Sequence, residues 1–339
     1  MGLEDLGLYL LKRLLRLGAV LLGISLLVFG LLHLIPGDPA VTLLGDRATP
    51  EQIEALRDRL GLNQPLPLQY LAFLGRVIRL DLGTSIFTGV PIWEEIRRYW
   101  PATLELALAA MAIAVMIGIP LGVIAAVQQH RWVDQIAMVA SLLGVSMPVY
   151  WLGLLLVYGF AVHLQWLPPS GRLGIETPWV PQTGFLMLDA LIQGNGAVLW
   201  DGAKHLVLPA VTLSTIPLAT LGRMTRSTMV ETLSQDYIRT ARAKGVAEGW
   251  VVVRHGLKNA LLPVVTLMGL EFGTLLGGAI LTETIFSWPG IGTWIYDGIL
   301  QRDYPVVQGG VLFVACVFVI VNLFVDLSYQ LLDPRIRLQ

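Results

Sequence analysis

Cysteine and lysine are both scarce in this 339-residue sequence, and each shortage excludes a class of site. The one cysteine, Cys316, lies inside an apolar run, so the chain has no intramolecular disulfide framework and no cysteine-based metal site. None of the four lysines follows a glycine, as the phosphate-binding loop G-x-x-x-x-G-K-[ST] requires. Any ATP that this protein uses must therefore be bound by a partner.

Signatures of catalysis and metal binding are also lacking. The five histidines are scattered, with no H-E-x-x-H pair: His33, His130, His163, His205 and His255. Ser146, in LGVSMP, lacks the second glycine of a nucleophile elbow, and no histidine or acid is placed to serve it. With Pro148 it is interpreted as a break within an apolar segment, where a serine hydroxyl satisfies freed backbone groups. We predict no catalytic residue, no metal site and no cofactor in this chain.

Charged residues are few, at 14% of the chain against 55% apolar residues, and the mean hydropathy is +0.68. This composition is too apolar for an ordinary soluble domain and indicates a protein embedded in a lipid bilayer. No basic patch with interleaved aromatic residues suggests a nucleic-acid partner. Glu4 and Asp5 precede the first bases, and no small-residue cleavage pattern precedes Pro36. The first apolar run is therefore predicted to be a retained span and not a signal peptide.

Six apolar stretches are long enough to cross about 30 Å of hydrocarbon as helices. They do not alternate every second residue, as barrel strands would. The predicted spans are approximately Leu17 to Ile35, Pro101 to Val127, Ile136 to His163, His205 to Leu221, Ala260 to Phe286 and Val307 to Leu332. We predict an all-α integral membrane protein with three parts. Residues 1–100 hold the first span and an external insert, and residues 101–331 form a five-helix core with a loop at 222–259. Residues 332–339 form a cytoplasmic tail.

Lysine and arginine flank the spans unevenly, which predicts the orientation of the chain. Lys12, Arg13 and Arg16 precede the first span, and Arg335 and Arg337 follow the sixth. The segment 222–259 carries seven bases against three acids: Arg223, Arg226, Arg239, Arg242, Lys244, Arg254 and Lys258 against Glu231, Asp236 and Glu248. With six spans, all three regions lie on one side, which is predicted to be the cytoplasm. Both termini are then cytoplasmic, and the long segment 36–100 is external.

The external segment contains two predicted helices. Thr49 and Gln52 form a capping box with Pro50 in the first turn, and Gly61 ends the helix. A second helix is predicted from Pro67 to Leu80, because apolar Leu68, Leu71, Leu74 and Val77 recur at helical spacing. That pattern suits a helix on the membrane surface or against the outer ends of the spans.

Four acids lie within or at the edges of the spans: Glu105, Glu271, Glu283 and Asp326. Charge in a membrane is costly, so each is expected to face protein or water. Glu105 and Glu283 are expected to reach the outer interface. Glu271 is the deepest, and two interpretations remain open: it lines a solute path and meets a cationic group such as a peptide amine, or it is a hydrogen-bonded carboxyl at a helix contact.

The segment 222–259 is long for a simple connection between spans, which suggests a function. DYIRTARAKG, from Asp236 to Gly245, is predicted to form a short amphipathic helix, and a second helix runs from Glu248 to Asn259. Small residues would let the surface of a partner protein approach closely, and basic residues would bind it through their charge. The alternative is a solvated basic loop that faces lipid headgroups.

This segment resembles the EAA loop of ABC-importer permeases, in which a short cytoplasmic helix docks in a cleft of the ATPase subunit. Arg239, Thr240 and Ala241 stand at the E-A-A positions, and Gly245 stands at the motif glycine. The first acid of the motif is missing. The later proline, Pro263, lies farther along than in the general pattern, as in the peptide-type members.

Five further sequence runs are distinctive: IPGDPA at 35–40, TLELALA at 103–109, ILTETIFSWPGIG at 280–292, RDYPVVQGG at 302–310 and DPRIR at 333–337. Together they resemble the peptide/nickel family of type I ABC importers, and within it the B-type permease subunits of dipeptide importers. The resemblance covers nearly the whole chain, including the external insert after the first span.

The resemblance implies a permease that performs no bond chemistry. A homologous second permease, two ATPase subunits that bind ATP and Mg²⁺, and an extracytoplasmic binding protein would complete the importer. The loop Arg239, Thr240, Ala241, Arg242, Ala243, Lys244 and Gly245 would couple ATP hydrolysis to transport. Glu271 and Ser146 are candidates for the translocation path, and Pro120, Pro148, Pro209 and Pro217 are candidates for kinks.

Three alternatives to dipeptide import are open at this point. Permeases for nickel, glutathione or longer peptides share these motifs. An ion-coupled secondary transporter would need inverted repeats or an intramembrane ion-coupling cluster, and neither is visible. An intramembrane enzyme would need a nucleophile and a base within the spans, which the serines and histidines do not provide.

Overall fold

Helices account for the regular structure of the residues that the computed structural model describes, which are 3–34, 38–45, 48–177 and 179–332. Within those ranges, extended pairing is limited to an isolated bridge between Thr84 and Pro91. The tail with Arg335 and Arg337 and part of the IPGDPA run lie outside the described residues. So do the side chains of Lys12, Arg13, Arg16 and Asp326.

A first unit comprises residues 1–101 and 290–319. Its helices are α1 Leu3–Leu34, α2 Pro39–Leu44, α3 Pro50–Leu60, α4 Leu66–Ile78 and α15 Ile291–Gln301, with the start of α5 Ile92–Ile113 and most of α16 Tyr304–Leu332. Buried apolar residues pack α5, α15 and α16 together: Ile92, Ile96, Ile291, Trp294, Ile295 and Val306. The Trp294 indole donates a 2.9 Å hydrogen bond to buried Glu95, which satisfies that carboxylate inside the unit.

Both predicted helices of the insert are confirmed. Thr49 and Gln52 form the capping box, and Gly61 ends α3 in the left-handed conformation with φ 71°. Glycine is suited to that position because it has no Cβ to clash. α4 begins one residue earlier than predicted and ends at Ile78, because Leu80 has turned to a positive φ of 60°.

A second unit comprises residues 102–289 and 320–339. It contains the rest of α5 and α16 and the helices α6 Ile119–Val127, α7 Trp132–Ser146, α8 Val149–Leu156, α9 Leu186–Ile192, α10 Gly196–Leu233, α11 Asp236–Ala243, α12 Glu248–Trp250, α13 Lys258–Gly278 and α14 Ile280–Ile285. Wider π-helical turns at Ala114–Gly118 and Val251–Leu257 join consecutive helices, and those at Val157–His163 continue from the end of α8.

Five of the described helices are long and apolar enough to cross a membrane, and a sixth span results if α7 and α8 are counted as one. The integral, all-helical architecture predicted from the sequence is therefore confirmed. The third span is not one helix, however: α7 and α8 meet at a bend of 101°. Pro148 explains the break, because it lacks an N–H and forces Met147 into an extended conformation, with ψ 126°.

The predicted boundaries around the fifth span were wrong in two places. The segment predicted as a separate helix, Glu248 to Asn259, runs through α12 and the π-helical turns directly into α13. The span predicted to continue to Phe286 ends at Gly278, and α14 follows as a separate short helix. Pro209 and Pro217 lie inside one continuous α10, so neither of these prolines ends a helix.

Glycines allow α6 and α10 to approach closely. A Cβ added at Gly122 would lie 2.5 Å from the Gly222 carbonyl oxygen and 2.7 Å from the Thr225 Cβ. A Cβ at Gly118 would lie 2.7 Å from the Leu218 carbonyl oxygen. Small residues at such contacts let transmembrane helices gain dispersion energy along their backbones. This packing places α10, which leads into the loop, firmly against α6.

Candidate functional site

The connection between α10 and α13 forms a small folded element and not an open loop. Ile238 and Ala241, three residues apart on α11, are buried against Val251, with Leu233 and Val246 packed beside them. Their spacing puts both on one face of the helix. The short α11 is thus fixed to the ends of the two long helices by its own small hydrophobic core.

The seven predicted coupling residues divide between two faces. Ala241 is buried at 9% exposure, whereas the other six are exposed, namely Arg239, Thr240, Arg242, Ala243, Lys244 and Gly245. These six exposed residues lie on the solvent-exposed side of α11 and in the turn at its C-terminal end. Ala241 belongs to the internal packing of the element, and its small side chain lets α11 approach Val251.

Gly245 ends the turn that follows α11. Its φ is +77°, and its N–H donates to the Arg242 carbonyl at 3.0 Å, while the Val246 N–H donates to the Ala241 carbonyl at 3.3 Å. These two bonds cap carbonyls that the end of a helix leaves unsatisfied. Open space surrounds Gly245, so a side chain here would meet no neighbouring atom. A residue with a Cβ would still be strained, because a positive φ is unfavourable for it.

Charges on the exposed surface of α11 are not equivalent. Arg242 pairs with Glu248 through two hydrogen bonds, Nη2 to Oε1 at 2.6 Å and Nε to Oε2 at 3.1 Å. This hydrogen-bonded carboxylate raises the pKa of Arg242 above its usual value. Arg239 approaches Asp236 at 3.4 Å, with both side chains largely in solvent, where such a pair contributes little.

A hydrogen-bonded tyrosine joins α11 to the start of α13. The Asn259 amide donates to the Tyr237 hydroxyl at 2.8 Å, and that hydroxyl donates to the His255 carbonyl at 3.3 Å. The aromatic side chain thus bridges the short helix and the π-helical turns that lead into the fifth span. A displacement of α11 would be transmitted to α13 through this contact and through the core around Val251.

An ion pair that the sequence analysis missed lies near the same end of α10. Arg226 binds Asp134 through Nε and Nη2, the second at 2.6 Å, and the His130 N–H donates to the same carboxylate at 3.0 Å. The Asp134 side chain is only 5% exposed. The pair fixes the start of α7 to α10. In the sequence, Arg226 is only one of the seven bases in the segment 222–259. Asp134 lies 92 residues away, so no local spacing indicates the pair.

The two acids predicted to reach the outer interface are enclosed by protein. Glu105 accepts a 2.5 Å hydrogen bond from Arg172, which lies in the 164–185 connection, and a 2.8 Å bond from the Met187 N–H. Glu283 is fully buried and accepts a 2.6 Å bond from Thr103. Such partners lower the cost of burying a carboxyl group. Both acids face protein, as expected of acids at the edges of spans, and their position at the outer interface stays a prediction.

The two candidates for a translocation path lie on different helices. Glu271, on α13, is half-buried, and its carboxyl lies within hydrogen-bonding reach of Thr220 on α10. Two residues earlier, Gly269 faces Val325 so closely that a Cβ would overlap it. Ser146 is the last residue of α7, exposed at the bend before Pro148.

Clusters suited to a metal ion are not found where side chains are described. No three histidine, cysteine, aspartate or glutamate side chains converge within those residues.

Two family descriptions match consecutive parts of the chain. Residues 118–338 match the family described as "Binding-protein-dependent transport system inner membrane component", and residues 7–107 match its N-terminal component. The chain belongs to this family. The longer match includes α10, α11 and α13, and the shorter one includes the insert with α3 and α4.

Relatives at high identity align along almost the whole chain. The dipeptide transport system permease DppB of Alkalihalophilus pseudofirmus is 50% identical over 97% of this chain and 99% of its own length. The di/tripeptide permease DppB of Pseudomonas aeruginosa is 50% identical over 96% of this chain and 98% of its own. The glutathione permease GsiC of Salmonella choleraesuis is 42% identical, over 97% and 98%. The permease fold and its membrane role are thus shared along the full alignment.

Proposed function

We propose that this chain is a pore-forming permease subunit of an ATP-driven importer of dipeptides or short oligopeptides. The observation that carries the proposal is the 50% identity, over 97% of the chain, to a permease named for dipeptide transport. The absence of a phosphate-binding loop in the sequence agrees with a subunit that uses ATP bound elsewhere.

The proposed importer contains three further subunits and a binding protein. A homologous second permease pairs with this chain, two ATPase subunits bind ATP and Mg²⁺, and an extracytoplasmic peptide-binding protein delivers the solute. Residues 1–100 would form a first span with its external insert beside a five-helix core at 101–331. The bilayer is the bacterial inner membrane, with both termini and the 222–259 loop in the cytoplasm, because the basic residues cluster there.

The exposed surface of α11 is the proposed contact with an ATPase subunit. It presents Arg239, Thr240, Arg242, Ala243, Lys244 and Gly245 outward, while Ala241 and Ile238 hold the helix to its own chain. The hydrogen-bonded Tyr237 and Asn259 connect that surface to α13. Closure of the ATPase subunits would therefore move α11 together with the spans that it is fixed to.

Transport would proceed by alternating access between two packings of the same spans. The bend at Pro148 is a natural pivot, because α7 and α8 share no continuous hydrogen-bond ladder across it. Glu271 and Ser146 are the proposed contacts on the path. A carboxyl at Glu271 would attract the cationic amino group that every unblocked peptide carries at neutral pH.

Reconstituted uptake is the experiment that tests this function. The complete importer in proteoliposomes, with ATP inside and its binding protein outside, is expected to accumulate a radiolabelled dipeptide and to require hydrolysable ATP. Parallel assays use nickel, glutathione and a pentapeptide. Uptake of nickel or glutathione without peptide uptake would overturn the substrate assignment. Uptake that an ion gradient drives without ATP would overturn the importer class.

A further inference from the structure

In the first ten residues of helix α4, the polar side chains lie on the side that faces the rest of the chain. The Gln69 side chain bonds His33 Nε2 at 3.2 Å and donates to the carbonyls of Leu62 and Gln64 at 3.0 and 2.8 Å. The Tyr70 hydroxyl lies 2.9 Å from the Ser25 hydroxyl. These are the only polar side chains in the first ten residues of the helix, LPLQYLAFLG. The polar groups of this part of α4 are therefore turned inward.

The opposite side of α4 is apolar and exposed. Leu68, Leu71 and Ile78 are 52%, 61% and 80% exposed. Their spacing places them on one face of the helix, together with exposed Ala72. A helix beside water shows the reverse pattern, with its apolar stripe toward the protein and its polar side outward. The medium outside α4 is therefore expected to be apolar.

Contacts with α1 fix how deep this helix lies. The apolar part of α1 runs from Leu17 to Leu34, and Ser25 lies near its middle, about 14 Å from Leu34 along the helix axis. Tyr70 reaches Ser25 with its hydroxyl and Phe29 with its ring, at 5.3 Å between ring centroids. Gln69 meets His33 near the end of the same span. The start of α4 thus lies alongside the second half of α1 and not above it.

We propose that α4 is inserted into one leaflet of the bilayer and that its Leu68, Leu71 and Ile78 face contacts phospholipid acyl chains. The proposed orientation of the chain makes this leaflet the outer one; nothing else in the inference depends on the proposed function. On α1, Leu26 and Leu27 are also exposed, at 53% and 66%. The same hydrocarbon that surrounds the span would therefore cover both helices.

Two arginines near the end of α4 support a lipid partner over a protein one. Arg76 and Arg79 are exposed and lie beside the apolar face, where the chain leaves the helix. Long basic side chains at such positions extend to the phosphates of the headgroups while their stems remain in the apolar region. The helix thus combines an acyl-chain surface with cations suited to phosphate. The sequence pattern also suits a helix that lies on the membrane surface. The hydrogen bond between Tyr70 and Ser25 favours insertion, because Ser25 lies near the middle of the apolar part of α1.

Nitroxide accessibility tests the insertion directly. In a Cys316→Ser background, single cysteines replace Leu71 on α4, Leu26 on α1 and Arg59 on α3, and each carries a spin label. The complete importer is placed in vesicles of phosphatidylethanolamine and phosphatidylglycerol. Collisions with oxygen, which concentrates in hydrocarbon, are compared with collisions with a water-soluble nickel chelate.

The expected result is that the label at position 71 behaves like the one at position 26, with frequent oxygen collisions and a loss of nickel collisions relative to position 59. Nickel collisions as frequent as at position 59 would show water beside α4 and overturn the inference. Infrequent collisions with both reagents would show that protein covers this face and would overturn it equally. None of these readings depends on peptide uptake, so a failed substrate assignment leaves the result interpretable.

Discussion

The Asn259 amide on α13 donates a 2.8 Å hydrogen bond to the Tyr237 hydroxyl on α11, which joins the short exposed helix to a membrane span. Together with the buried contacts of Ile238 and Ala241, this bond makes α11 a continuation of the spans and not a tether between them. A force applied to the exposed surface of α11 would therefore reach α13.

Replacing Gly245 by valine is expected to uncouple ATP hydrolysis from uptake while the protein remains in the membrane. A residue with a Cβ at φ +77° costs about 1–2 kcal/mol, so the turn relaxes and the exposed end of α11 changes shape. Peptide uptake and ATPase activity are measured on the same reconstituted importer. The matched control is Gly249→Val, at an exposed helical glycine with open space around it. Normal uptake in Gly245→Val would contradict the assignment of this turn.

Aspartate at Ala241 and at Ala243 should have different effects, although the two positions are only two residues apart. Ala241 is buried against Val251, so a carboxylate there loses its hydration without a partner, at a cost of about 1–3 kcal/mol or more. Ala243 is exposed. We expect Ala241→Asp to lower the melting temperature of the purified complex and Ala243→Asp to leave it unchanged. Equal melting temperatures would show that Ala241 is not part of the internal packing.

Some features of the fold and of the candidate site could be predicted from residues that are neighbours in the sequence, and others could not. Apolar runs of about 20 residues predicted the spans, and the Thr49 capping box and Gly61 predicted α3, because the atoms involved are neighbours in the chain. Pro148 predicted a kink for the same reason, although the 101° bend was not predictable. The buried face of α11 had a local signal in the spacing of Ile238 and Ala241.

Ion pairs between distant segments could not be predicted in this way. Arg172 lies 67 residues from Glu105, and Arg226 lies 92 residues from Asp134. Each pair depends on which helices become neighbours, and no spacing in the sequence records that. The same limit applies to α4, since only the fold shows that Tyr70 meets Ser25 and that the exposed leucines point away from the chain.

Separating Asp134 from Arg226 is expected to destabilise the second unit. Removing one partner of a buried pair leaves the other charge uncompensated and costs up to about 3–5 kcal/mol, less where water reaches the arginine. Asp134→Ala should lower the melting temperature of the complex. The double exchange Asp134→Arg with Arg226→Asp should recover part of that loss. Asp236→Ala serves as a control, because the Asp236 side chain is 95% exposed and its pair with Arg239 contributes little.

Leucine at Gly122 is expected to prevent the close contact of α6 and α10. Even a Cβ at this position would lie 2.5 Å from the Gly222 carbonyl oxygen, and backbone cannot move aside as a flexible side chain can. Overpacking of this kind costs about 1–3 kcal/mol or more, and we expect little monodisperse protein after detergent extraction. Gly30→Leu is the control, since nothing lies within 4 Å of its added Cβ. Normal yield and uptake in Gly122→Leu would contradict the packing described for α6.

Glutamine at Glu271 distinguishes the two interpretations of this half-buried carboxyl. Glutamine keeps the size of the side chain and can still form a hydrogen bond with nearby Thr220, but it removes the charge that would attract a peptide amine. We expect Glu271→Gln to keep the melting temperature and the ATP hydrolysis of the complex while lowering peptide uptake. Thr220→Val removes the other partner of the contact and leaves the carboxylate in place, so it should keep more uptake than Glu271→Gln. Equal uptake by Glu271→Gln and the unaltered protein would place this side chain in helix packing and remove it from the translocation path.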